Sequence, residues 1–284
     1  MNLRPVLLLV AGVMAAAADM QVVATIPVIA GLVRQVAGPG VAVVSIIPPG
    51  ADHHIYQVMP ADAQRLAGAR LVVANGLGFE PWLPGMIAAA AYRGPVAEAS
   101  AGVAPRAGDA GGRGEADPHA FHDVRNAQQY VKNIRDALAA ADAAGAEGYR
   151  ARADLVLAEL GALEAWVRRQ VASVPPARRV LFAPHDGLSY FAAAYGLELH
   201  PVEGLGHGQE SDVRRLDELV ALARARGVRV VFSEDGQATG VLKTLAEAIG
   251  ARVAGPLATC GPADADSYRD MVVANTLAIV AALR

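Results

Sequence analysis

Cysteine is nearly missing: Cys260 is the only one in 284 residues. A single thiol excludes an intramolecular disulfide framework and any zinc or iron–sulfur site built on several cysteines. Aromatic residues make up only 5% of the chain, which speaks against an aromatic-lined cleft for a large organic ligand. Basic residues are not in excess either. The 25 Lys and Arg face 28 Asp and Glu, a net charge of −3, so there is no positive field for nucleic acid. Charged residues are 19% against 54% apolar, the reverse of a disordered chain, and the length suffices to bury a substantial core. Histidine is also scarce, seven in all, so its placement carries information.

No apolar run is long enough to span a membrane. The longest, Pro5 to Ala18, covers about 14 residues before Asp19 interrupts it, short of the roughly 20 a spanning helix needs. With Arg4 ahead of it and Ala15–Ala18 as small cleavage residues, it reads as a secretory signal over residues 1–18. The mature chain then starts near Asp19, carries a charge of −4 after losing Arg4, and is periplasmic. No cysteine follows the leader to take a lipid anchor.

What remains alternates. Gln21–Thr25, Val41–Ile46, Leu71–Ala74, Val180–Ala183, Leu197–Val202 and Val228–Ser233 are short β-like runs. Ile29–Val36, Ala61–Ala67, Val213–Ala225 and Val241–Ile249 show helical spacing between them. Such alternation implies α/β architecture with mostly parallel sheets flanked by helices. It breaks once, where Val124–Asp142 and then Glu147–Val174 read as helices, the latter with Leu155, Leu160, Leu163, Val167 and Val171 on its apolar face. The expected layout is an N-terminal lobe (19–146), a long rigid bridging helix (147–174) and a C-terminal lobe (175–284). Ala101–Ala116, with five glycines, reads as a mobile surface loop.

Three histidines fall in loops between these elements. His54 follows the run Val41–Ile46, His119 follows the glycine-rich loop, and His185 follows Val180–Ala183. Ligands of open α/β sheets sit outside the carboxyl ends of the strands. Three imidazoles converging there suit a borderline-soft divalent ion such as zinc, with a fourth place open.

The contexts of these histidines carry a resemblance. Ile47-Pro48-Pro49-Gly50-Ala51-Asp52-His53-His54-Ile55-Tyr56 with Ala74-Asn75-Gly76-Leu77-Gly78-Phe79-Glu80, Asp117-Pro118-His119-Ala120-Phe121, and His185-Asp186-Gly187-Leu188-Ser189-Tyr190-Phe191 occur in order along the chain. Together they resemble the periplasmic metal receptors of ABC importers, the ZnuA- and TroA-like family. The resemblance implies a bilobed fold with a rigid bridge, no catalysis, a membrane permease as partner and a monomeric receptor, with a periplasmic metallochaperone as a further candidate partner. It implies His54, His119 and His185 as ligands, with His53 second choice to His54. Histidine at the third position goes with zinc in that family, whereas glutamate there goes with manganese or iron.

The fourth ligand is where the match fails. The stretch in which many members carry an aspartate is Val253-Ala254-Gly255-Pro256-Leu257, without an acid. Glu234 is the leading substitute, and Asp264 or water the alternatives. His122, His200 and His207 are expected to be exposed, and Cys260 to be a small buried or loop residue. Zn2+ is the expected cargo, ahead of Mn2+ or Fe2+, with binding that weakens below about pH 6 as unperturbed imidazoles protonate. Two other classes compete. A zinc hydrolase would need Glu234 as its base, and there is no HExxH spacing to support it. A receptor for a chelated ligand would leave the three histidines unexplained.

Overall fold

The computed structural model describes residues 20–51, 56–108, 116–203, 213–235, 239–261 and 267–284. His53, His54, His207, Asp264 and the leader lie outside the described residues.

The first lobe is a doubly wound parallel sheet. It runs β1 (Met20–Ala24), α1 (Pro27–Ala37), β2 (Val41–Ser45), α2 (Pro60–Ala67), β3 (Leu71–Ala74), α3 (Leu83–Ala89) and β4 (Val96–Glu98). The sheet order is β2-β1-β3-β4, all parallel. β1 and β3 are central, and β3 is buried along its whole length, as a strand covered on both faces must be. Pro27 opens α1 at a position where its missing N–H costs nothing, and Gly38 ends it at φ +76°, a conformation that favours glycine.

A short 3-10 turn (Ala120–His122) leads into α4 (Val124–Ala141), capped by Asp123, whose carboxylate accepts from the Arg125 amide. α5 (Ala146–Ala172) follows, 27 residues or about 40 Å long. It packs on α1 and α4 of the first lobe and on α6 (Ser189–Tyr195) and α9 (Tyr268–Leu283) of the second. Its buried stripe is Tyr149, Ala153, Val156, Leu160, Leu163, Val167 and Val171. The expected stripe is corrected at one position: Leu155 is 72% exposed, because counting back four residues from Leu160 lands on Val156.

The second lobe holds β5 (Val180–Ala183) paired with β6 (Glu198–Pro201), and β7 (Val230–Glu234) paired with β8 (Arg252–Leu257), both pairs parallel. β5 lies beside β7, so the two ladders stand next to each other. α7 (Val213–Ala225) and α8 (Gly240–Ile249) pack against one another, and α9 packs on β8. β8 has a largely exposed pattern that alternates poorly and includes Pro256 in an edge position, which is why periodicity alone did not place it.

The glycine-rich loop differs from expectation at its base. Ala107 and Ala116 form an antiparallel bridge, the Asp117 amide donates to the Arg106 carbonyl (2.9 Å), and Val103 packs on the core. The described ends of the loop are therefore tied down. Residues 109–115 lie outside the described residues.

Candidate metal centre

His185 stands two residues beyond the carboxyl end of β5, and Glu234 is the last residue of β7, the strand beside it. Both are buried. The Glu234 Oε2 atom lies 2.5 Å from His185 Nδ1 and also accepts from the His185 amide at 3.4 Å. Burial lowers the tendency of His185 to protonate, but the charge and hydrogen bond of Glu234 outweigh it and push the pKa up to about 9. The second carboxylate oxygen, Glu234 Oε1, is buried with no hydrogen-bond partner among the described residues.

His119 comes from the other lobe, at the start of the 3-10 turn before α4. It is also buried, between the rings of Phe79 and Phe121. Asp117 accepts from both the His119 amide and its Nδ1 through one oxygen, each at 2.9 Å. Burial, with the positive charges of His185 and His122 adding to it, holds the His119 pKa well below the imidazole range. The same desolvation raises the Asp117 carboxyl, against a hydrogen bond from Ser189 that lowers it.

The two rings meet edge to plane, with centroids 5.3 Å apart. In each, Nδ1 faces a carboxylate, which in the neutral ring selects the tautomer with hydrogen on Nδ1 and a lone pair on Nε2. A metal-ligating histidine uses this arrangement, the carboxylate fixing the ring and raising its basicity. The loop that carries His119 is itself braced: Asn75 Nδ2 donates to the Pro118 carbonyl (2.9 Å) and Asn75 Oδ1 accepts from Tyr130 (3.2 Å). Asn75 is held in turn by Glu80, which also takes the Thr25 hydroxyl (2.5 Å).

Of the four residues expected at the site, the described structure brings together His119, His185 and Glu234, and His54 falls outside it. No group of three or more His, Cys, Asp or Glu side chains forms a ready metal set among the described residues. The stretch 253–257 offers no side chain for the fourth place. Gly255 sits at φ +106°, and a Cβ there would lie 2.7 Å from the Ser233 carbonyl oxygen.

His122 is a correction. It was expected at the surface, yet it is buried, with Nε2 donating to the Thr259 carbonyl at 2.8 Å and its pKa pushed down to about 4 by burial. The 3-10 turn explains this, since it swings the residue three beyond His119 inward toward the second lobe. Thr259 is held from the other side by Asp235, which takes its amide (3.0 Å) and its hydroxyl. His200 is only partly exposed, stacked on Phe182 and paired with Glu198. Cys260 is buried, as expected, and lines a cavity of about 270 Å³ between Pro27, Ile47 and Ala51 of one lobe and Asp235 and Leu257 of the other. Sequence reasoning missed Asp117 as a partner of His119. The signal was present in the spacing, since an acid two residues before a turn can fold back on the amides that follow.

Comparisons with known proteins find similar chains among metal-binding proteins. The model of the ZnuA family, described as zinc-uptake complex component A, periplasmic, matches residues 22–282. The chain is 29% identical over 271 residues to the manganese-binding lipoprotein MntA of Halalkalibacterium halodurans, covering 93% of this chain and 88% of that one. It is 32% identical over 243 residues to the iron-binding protein YfeA of Yersinia pestis, covering 84% and 76%. Among solved structures, the periplasmic zinc binding protein TroA of Treponema pallidum matches with a TM-score of 0.84 at 28% identity, over 93% of this chain and 99% of that one.

Proposed function

We propose, from the premise that this chain belongs to the ZnuA family of periplasmic metal-binding proteins, that it captures zinc between its lobes and hands it to the permease of an ABC importer. The observation that carries the reading is the facing pair His119 and His185, each with Nδ1 on a buried carboxylate. In this reading His54 is the third ligand and Glu234 acts chiefly through the ring of His185. Nitrogen donors suit zinc, and the lone cysteine leaves no thiolate set to compete for the metal. The protein is a receptor and performs no turnover. Residues 1–18 direct export, residues 147–174 bridge lobes 19–146 and 175–284, and the receptor acts as a monomer.

Manganese or iron is the second reading. It is favoured by the buried Glu234 Oε1, an oxygen donor beside the histidines, and by relatives named for those metals. Purification without added metal, elemental analysis, and competition titration of zinc against manganese decide between the two. Preferential retention of manganese would overturn the zinc assignment while leaving the receptor reading in place. N-terminal sequencing of the exported protein tests the leader.

A further inference from the structure

Asp117 makes more contacts than holding His119 requires. Its second carboxylate oxygen accepts from the Ser189 hydroxyl, and its carbonyl accepts from the Tyr190 hydroxyl at 3.1 Å. Ser189 and Tyr190 are the first residues of α6, the helix that follows directly on the loop carrying His185. The Tyr190 hydroxyl in turn accepts from the Arg106 amide (2.8 Å), which ties in the base of the glycine-rich loop. Asp117 and Tyr190 are buried, so water competes little for these bonds.

We propose that Ser189 and Tyr190 are positioning residues for His119. They hold Asp117 by its side chain and its main chain, and Asp117 holds the imidazole. The orientation of the first lobe's histidine is thus set by the segment that carries the second lobe's histidine, and the spacing of the two rings is built in before metal arrives. This rests on the reading of His119 and His185 as ligands.

The test is zinc titration, with cobalt(II) absorption as a second readout of ligand geometry, on Ser189→Ala, Tyr190→Phe and the double variant. Each single change removes one hydroxyl. Ser189→Thr returns a hydroxyl, and Tyr195→Phe controls for loss of a hydroxyl from α6 at a residue outside the Asp117 contacts. The expected result is a loss of zinc affinity of about tenfold for each single variant and more for the pair, the scale for support around a metal ligand. The cobalt bands should shift, Ser189→Thr should restore them, and Tyr195→Phe should match wild type. Unchanged zinc affinity and cobalt spectrum in both single variants would overturn the proposal, whatever happens to the melting temperature. If instead His119→Ala binds zinc as wild type does, the ligand reading itself fails, and the two failures are told apart.

Discussion

His119 and His185 belong to different lobes, yet their rings lie with centroids 5.3 Å apart and each presents Nδ1 to its own buried carboxylate. A pair so arranged has its ring orientations held in the folded chain, at an entropic cost that folding has met. From this relationship the first expectation is simple. His54→Ala, His119→Ala and His185→Ala should each lower zinc affinity by about tenfold or more in titration, since losing a ligand costs at least what losing its support does. Wild-type affinity in all three would dismiss the site.

The carboxylates should matter nearly as much as the rings. Glu234→Gln and Asp117→Asn keep shape but replace the acceptor facing Nδ1 with an amide that no longer enforces the tautomer. We expect about 10- to 100-fold weaker zinc binding for each. Equal affinity would mean that the rings are oriented by packing alone.

Proton release on binding follows from the raised pKa of His185. Metal-free, this ring keeps its proton at neutral pH, paired with Glu234, and zinc must displace it. Affinity should therefore go on rising between pH 6.5 and about 9, where unperturbed imidazoles would already have levelled off. The window expected from sequence, below about pH 6, is shifted upward by one carboxylate. Calorimetry in buffers of different ionisation enthalpy measures the proton count at pH 7.5, and a count of zero would refute this account.

Metal-free stability should peak near pH 6.5. His119 and His122 have lowered pKa values in the folded state, so below 6.5 the unfolded chain binds more protons and stability drops as the pH is lowered. His185 has a raised value, so its contribution is complete below 6.5 and is lost as pH rises through about 9. Denaturant titration between pH 5 and 9 should trace this dome, and Glu234→Gln should flatten its alkaline side. A stability that only rises toward pH 9 would contradict the assigned pair.

Packing of α5 gives a contrast within one helix. Leu160→Ala should cost about 2–5 kcal/mol, because Leu160 belongs to the buried stripe of α5. Leu155→Ala should change stability by about 0.5 kcal/mol or less, as Leu155 is exposed. Chemical denaturation of the two variants separates them, and equal losses would place the stripe elsewhere.

Sequence by itself determines the alternation of strands and helices in this protein, because one-sided or two-sided burial imposes a period that can be read locally. β3 and β5 were legible residue for residue, and the break to two long helices marked the bridge. It also singled out His119 and His185, the two that the described structure brings together, since rare residues in patterned loops stand out. β8 stayed obscure because an edge strand with a glycine and a proline carries little alternation. Only the tertiary structure decided which acids serve the histidines. Glu234 reaches His185 because β7 runs beside β5, and Asp117 joins Ser189 and Tyr190 because the lobes meet there. Such pairings depend on which strand lies next to which, a choice made by burial of the whole core. The same holds for His122, whose hydrogen-bond partner is the Thr259 carbonyl of the opposite lobe.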